Sequence, residues 1–383
     1  MKHWKFGGST ATRTVNCPSW RARADTLALP TTTSDAAKLG TALHVAFELY
    51  VSQPTTPLTA AEVQEMADYA GISYGDMWDK ITEKVAPAVK KLLYELPPEW
   101  EIECEAEVPH PDVATIGGTS DIIAQFPAEN AVAVVDFKTG DGAEVNDFGQ
   151  LALYAYLWRL NFPTAWDDGT VFRLVILHAY RGENLWKEEF WSAEEVNRWG
   201  MQHEDAVNMA DRPTALDGIP PIAGDWCRFC PAMSICPAKT GLVTKALSME
   251  IADSLGDALR VADEMEAWIK SVRSTAHTLI EEGQHIEGYK LVAKRASRKW
   301  LSIDAAIDKA VANMPHDGLA PRMPLTPAQM EKACKQKGVD YESVFADNVT
   351  SISSGSTLVP ESDRRRPILN IKSIKAAIGK TIK

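Results

Sequence analysis

A chain of 383 residues with 45% apolar and 24% charged side chains has an ordinary globular composition and room for two domains. Its net charge of -12 excludes a general polyanion-coating protein, but not an enzyme that meets nucleic acid through a local patch or a bound cation. No apolar run reaches bilayer-spanning length and MKHWKFGGSTATR lacks an apolar signal core, so a cytoplasmic protein with no membrane partner is expected.

In chain order, Cys17 and Trp20 lie in an arginine-bearing opening stretch. Asp35–Tyr50 (DAAKLGTALHVAFELY) has helical periodicity, with Leu39, Leu43, Ala46 and Phe47 on one side. His44 flanks that face and reads either as a satisfied histidine or as a ligand. Ala60–Leu96 is a second helical zone that suggests no chemistry. Trp100–Val108 (WEIECEAEV) alternates as a strand, with Cys104 on the core side. Glu103, Glu105 and Glu107 then form a solvated face, or Glu105 lies near a metal.

Gly117–Asp121 (GGTSD) is a turn feeding the apolar strand Ile122–Ala124. Ala131–Lys138 (AVAVVDFK) is short, valine-rich and followed by Gly140 and Gly142, the pattern of a strand covered on both faces. Alternation sends Val132, Val134, Asp136 and Lys138 one way, and Ala131, Ala133, Val135 and Phe137 the other. If the two strands form a hairpin, Asp121 approaches Asp136. Two carboxylates with a lysine beside them suit Mg²⁺ or Mn²⁺. Lys138 would then orient a water or offset charge on a phosphoryl oxygen. Gln150 and Tyr154 share one face of a helix over Phe148–Leu160.

Val171–Tyr180 is a further strand with a structural His178, Leu185–Trp191 pairs with it, and Ser192–Met209 is a helix. Six cysteines without a signal peptide do not make a disulfide framework. The spacing Cys227-x2-Cys230-x5-Cys236 reads as metal binding, and proline follows Cys17, Cys230 and Cys236, as it does around iron–sulfur ligands. A four-cysteine Zn²⁺ site and isolated thiols are the alternatives.

Thr244–Glu282 is a long amphipathic helix, a core element, a coiled-coil arm or a spacer. Gly288–Trp300 (GYKLVAKRASRKW) reads as a basic strand that tracks phosphate or simply faces solvent. Leu301–Phe345 is helical, with Thr326 as an N-cap. After Asp363 the chain is basic without acids: Arg364, Arg365, Arg366, Lys372, Lys375, Lys380 and Lys383. Arg364, Arg365 and Arg366 are candidate DNA-phosphate contacts, against a solvated tail or a segment that docks a partner.

Taken in order, His44 in GTALH, Asp121 in GGTSD, Asp136-Phe137-Lys138 and Gln150-x3-Tyr154 resemble the PD-(D/E)XK nuclease superfamily, and more narrowly its RecB-like exonuclease branch. A lone D-x-K is a weak motif, whereas the ordered set is specific. The resemblance implies His44, Asp121, Asp136 and the Phe137 carbonyl as ligands to Mg²⁺ or Mn²⁺. It implies Lys138 as the catalytic lysine beside Asp121 and Asp136, with Gln150 and Tyr154 contacting substrate.

One cysteine before these motifs and three after them is similar to the iron–sulfur members of that branch. This implies a [4Fe–4S] cluster on Cys17, Cys227, Cys230 and Cys236, clipping together the ends of a nuclease domain over 1–243. The remainder, including EGYKLVAKRASRKW, TPAQMEKACK and LVPESDRRRP, resembles a phage and prophage RecB-like family, with no chemistry implied for 244–383.

The fold expected is α/β, a mixed sheet with helices on both sides and a mainly helical C-terminal region. The function expected is a metal-dependent DNA exonuclease in phage recombination or replication, with DNA and a phage single-strand annealing or binding protein as partners. The alternatives are a DNA-binding or assembly module that keeps the fold without efficient cleavage, and a zinc-stabilised hydrolase of unrelated chemistry.

Overall fold

The computed structural model describes residues 4–29, 35–140, 147–179, 185–212, 215–241, 255–313, 326–352 and 355–368. The chain divides into two compact units, Met1–Trp268 and Ile269–Lys383.

The first unit opens with β1 (Phe6–Gly7), α1 (Ala11–Asn16), α2 (Trp20–Asp25) and α3 (Asp35–Ser52). It continues through α4 (Ala60–Ala70), α5 (Tyr74–Lys80) and α6 (Ala86–Glu95), the last two joined by a π-helical turn at Ile81–Val85. Then come β2 (Glu101–Glu107), β3 (Ile116–Gly117), β4 (Thr119–Phe126), β5 (Ala131–Lys138), α7 (Phe148–Asn161), β6 (Val171–His178) and β7 (Trp186–Ser192). It closes with α8 (Ala193–Ala210), α9 (Ala215–Gly218) and the start of α10 (Leu255–Glu281).

Five strands make one mixed sheet in the order β2-β4-β5-β6-β7. β4 and β5 form the expected antiparallel hairpin, β5 runs parallel to β6 across α7, and β7 returns antiparallel. Alternation along β5 is as the valine pattern predicts. Ala133, Val135 and Phe137 join a core built with α3 to α6, including Leu43, Phe47, Met77 and Leu92. Val132 and Val134 join a second core built with α7 and α8, including Leu153, Trp158 and Val196. A strand with apolar side chains on both faces needs cover on both, and the helices supply it.

Helix α7 is buried nearly all round, from Leu151 to Trp158, because it lies between the sheet and α8. Its close approach to α8 depends on Gly200, where a Cβ would fall inside the ring of Tyr156. Ser192 starts α8 with a capping box closed by Glu195.

The second unit holds the rest of α10, then β8 (Tyr289–Ala293), β9 (Ser297–Trp300), α11 (Ile303–Asn313), α12 (Pro327–Lys337), α13 (Tyr341–Phe345), β10 (Val349–Ile352) and β11 (Ser356–Pro360). The stretch expected as one strand over Gly288–Trp300 is two. β8 pairs with β11 and β9 with β10, so the chain must change partner between residues 293 and 297. Met330, Cys334, Tyr341 and Phe345 make the small core of this unit. Thr326 caps α12 as expected, closing a box with Gln329.

His203 on α8 is fully buried, and burial lowers its imidazole to about 4, with His110 acting the same way and Glu204 opposing. In the unfolded chain it titrates at about 6.5. Below that pH the unfolded state takes the proton and the folded state does not, so the contribution is complete above about 6.5 and is lost as the pH falls toward 4. Its size is about 3 kcal/mol. Urea unfolding from pH 7.5 to 4 should show stability falling with pH, and His203→Leu should remove about that much of the fall. Equal pH slopes in the two proteins would exclude the effect.

Candidate functional site

The site forms where β4 and β5 part. Their ladder ends at Ile122↔Val135, and the next rung would set Asp121 opposite Asp136. Like charges directly opposed across a ladder are unfavourable, and pairing stops there. Asp121 Oδ2 instead accepts the Phe137 backbone N–H at 2.6 Å, while Oδ1 faces His44 Nδ1 at 3.1 Å. β5 meanwhile stays paired with β6 as far as Lys138↔His178, so its charged end remains rigid.

Helix α3 delivers His44 because its apolar face is fixed to this same strand. Phe47 stacks on Phe137 with centroids 4.3 Å apart, and the His44 ring tilts against Phe137 at 5.4 Å. One aromatic thus positions the helix and, through its backbone N–H, the carboxylate that the histidine meets.

On the other face, Lys138 Nζ meets Asp136 Oδ2 at 2.6 Å and donates to Gln150 Oε1 at 3.2 Å. Gln150 Nε2 donates to Asp136 Oδ1 at 2.7 Å and to the Tyr154 hydroxyl at 3.3 Å. Asp136, Lys138, Gln150 and Tyr154 are therefore one hydrogen-bonded group, as their order in the chain suggests. Tyr154 is buried behind Gln150 and supports it, rather than lying open to a substrate. It sits between Gly8 and Gly118, where a Cβ on either would fall within contact of its ring. Parallel pairing of β1 with β3, Gly7 opposite Gly117, brings those glycines together.

Glu105 completes the opposite side and is the residue that alternation misplaces. Ile102 and Cys104 pack on the α3 side of the sheet, but Ala106 packs on the α7 side. The reversal occurs at Glu105, whose φ is +49°, in the left-handed region. Ligand atoms of His44, Glu105 and Asp121 consequently all lie within 4.8 Å of one another. Only the pairing of β2 with β4, Cys104 opposite Ile122 and Ala106 opposite Ser120, sets Glu105 level with Asp121. Asp136, expected as the second carboxylate ligand, lies outside this trio and faces Lys138.

The electrostatics of the group are those of a site short of positive charge. Burial and the charge of Asp121 push the Glu105 carboxyl up. Burial also pushes Asp136 up, against the pull of Lys138. Burial works to lower the His44 imidazole, but the Asp121 hydrogen bond and the surrounding carboxylates outweigh it and raise it. Lys138 is likewise raised, Asp136 outweighing burial, so the ammonium is retained. Two carboxylates and one imidazole form a hard, oxygen-rich donor set that fits Mn²⁺ or Mg²⁺.

Cys17, Cys227, Cys230 and Cys236 border one pocket, together with Arg13, Arg23 and Lys239. Ile222 N–H points to Cys17 Sγ and Gly224 N–H to Cys227 Sγ, each at 3.4 Å, and the Ala232 backbone bonds Cys230. Burial pushes Cys230 up to about 11 and raises Cys227 as well. Among the described residues no three cysteine sulfurs lie within 4.8 Å of one another. Cys104 is beside Ser52, and Cys334 is in the core of the second unit.

In the C-terminal segment, Arg365 is folded back on Asp363 through two bonds of 3.0 Å, while Arg364 and Arg366 are exposed. Lys372, Lys375, Lys380 and Lys383 lie outside the described residues.

The chain belongs to the family described as protein of unknown function (DUF2800), whose model matches residues 3–366. Among solved structures it is similar to the one described as the crystal structure of SSO0001, at 13% identity, over 51% of this chain and 95% of that one, with a TM-score of 0.24. No curated protein matches.

The trio predicts Mn²⁺ uptake that tightens with rising pH, since each ligand must shed its proton to bind. Titration followed by the electron paramagnetic resonance of free Mn²⁺ should show Asp121→Asn and Glu105→Gln weakened by about ten- to a hundredfold or more. Glu103→Gln, on the exposed side of the same strand, should bind as the parent does. Equal binding in all four would refute the site.

Proposed function

We propose that this member of the DUF2800 family is a metal-dependent deoxyribonuclease of the PD-(D/E)XK type, an exonuclease of the RecB-like branch acting in phage DNA recombination or replication. The observation that supports it most is the convergence of His44, Glu105 and Asp121 on one side of the parted strands with Asp136, Lys138 and Gln150 on the other. Mg²⁺ or Mn²⁺ held by His44, Glu105 and Asp121 would supply Lewis-acid activation of a phosphoryl oxygen and of water.

The chain's own residues do the rest. Lys138, kept charged by Asp136, is a donor for a water or for a non-bridging phosphate oxygen. Gln150 spans Asp136, Lys138 and Tyr154 and so fixes the lysine's direction. A substrate reaching Lys138 would take up one of its polar contacts, while Gln150 still donates to Asp136. Asp136 would join the residues holding the cation only by giving up its contact with Lys138. The Phe137 N–H holds Asp121 from behind, so the carboxylate stays aimed at His44 while charge moves in front of it.

A [4Fe–4S] cluster on Cys17, Cys227, Cys230 and Cys236 belongs to the same proposal. Backbone N–H groups aimed at three sulfurs support thiolates there, since such bonds are typical of iron–sulfur ligands. Tetrahedral zinc at about 2.3 Å from each sulfur would hold them about 3.8 Å apart. A [4Fe–4S] cluster would instead place each of the four thiolates on a separate iron, so the two groups ask for different sulfur spacings. The second reading, a module that binds DNA without cutting it, is favoured by one observation: Asp136 is fully engaged by Lys138 and Gln150.

Digestion of end-labelled single- and double-stranded DNA with Mg²⁺ or Mn²⁺ decides between them. The parent should release nucleotides, and Lys138→Ala and Asp136→Ala should be slowed by about a hundredfold or more. An inactive parent that still binds DNA would support the non-cleaving module, and full activity in both variants would exclude the site.

Because Arg365 is tied to Asp363, only Arg364 and Arg366 of the three arginines are available to phosphate. Replacing both with alanine should flatten the log–log salt dependence of duplex binding by up to about 1.8, or about 1.4 on single strands. An unchanged slope would leave the tail solvated or engaged with a protein partner.

A further inference from the structure

Three cations border the cysteine pocket, Arg13, Arg23 and Lys239, and among the described residues only Lys239 is ion-paired. Arg23 turns its guanidinium to the Leu216 and Ile219 carbonyls. Lys239 is almost fully buried and its ammonium is paired with Glu264. Arg13 makes no ion pair with a carboxylate among the described residues. Its Nε donates to the Trp226 carbonyl at 3.2 Å, and its guanidinium stacks on Trp20 at 4.9 Å, itself pinned by a bond from Trp20 Nε1 to Thr14. Burial works to lower its guanidinium, and Cys230, Cys227, Asp147 and Cys17, in that order, are close enough to act against that electrostatically. A partly buried cation without a paired counter-charge is costly, and here the negative charge around it comes from the thiolates together with Asp147, which Thr12 holds.

We propose that Arg13 is the electrostatic partner of the cysteine-held cluster and raises its one-electron potential, while Lys239, neutralised by Glu264, contributes little. The inference rests on the iron–sulfur reading. A fixed positive charge favours the more negative, reduced form, so its loss must lower the potential. Arg13 is held by Trp20 and Trp226 independently of the cluster, so the charge stays in place in both oxidation states.

Anaerobically purified protein would be assayed for iron and zinc, then titrated potentiometrically with visible absorbance as the readout. Arg13→Gln should shift the reduction equilibrium at least tenfold toward the oxidised form, which is 59 mV for one electron. Arg13→Lys should restore it to within threefold, and the charge-neutral double variant Lys239→Gln with Glu264→Gln should move it less than Arg13→Gln does. Iron present with equal midpoints in the parent and Arg13→Gln would overturn the inference and leave the cluster standing. Zinc without iron in the parent would overturn both. If Arg13→Gln fails to retain iron, the lysine variant decides. Iron and midpoint restored would sustain the role of charge, and iron lost in both would overturn it.

Discussion

The hydrogen bond from the Phe137 backbone to the Asp121 carboxylate is the contact on which the rest of the first unit turns. It exists because β4 and β5 stop pairing one rung before their aspartates would meet. A sheet that continued would bury two opposed carboxylates. A sheet that ended earlier would leave the Phe137 N–H without its partner. With the side chain standing in for a strand, the backbone stays satisfied and the carboxylate is fixed without a cation of its own. The apolar side of the same residue then seats α3 through the Phe47 stack, so one position couples sheet, helix and site.

The two candidate centres share an electrostatic logic with opposite signs. Around His44 the carboxylates outnumber the cations, and each burial makes ionisation harder. Around the cysteines Arg13, Arg23 and Lys239 line the pocket, and burial raises the Cys230 thiol. The first is arranged to attract a cation, the second to hold an anionic assembly. α1 adjoins both regions. Thr12 on it bonds Asp147, the N-cap of α7, while the next residue is Arg13. The helix that carries Gln150 therefore begins from a cap anchored beside the cysteine pocket.

Much of this was legible in the residues because it depends on periods. The valines of β5 alternate between two cores, and Leu43, Ala46 and Phe47 mark the buried side of α3, since a buried strand and an amphipathic helix leave those patterns. The clustering of Asp136, Lys138 and Gln150 follows from the same strand and the helix after it. Three features depend on conformation or distant packing and leave no period. Glu105 changes face through a left-handed backbone that alternation assumes away. Tyr154 is sealed by Gly8 and Gly118, the first of which arrives from the chain's opening segment. The basic stretch after Gly288 splits in two because β10 and β11, some fifty residues later, claim separate halves.

The left-handed backbone at Glu105 sets chain stability and chemistry against each other. A non-glycine residue there costs on the order of 1–2 kcal/mol, which glycine would not incur. A population of variants screened for heat resistance alone would thus be drawn toward Glu105→Gly, a protein that folds more readily and has lost a carboxylate beside His44. The conformational tension at this position is inseparable from the placement of its side chain, so selection for robustness and selection for ligand geometry pull the same codon in opposite directions.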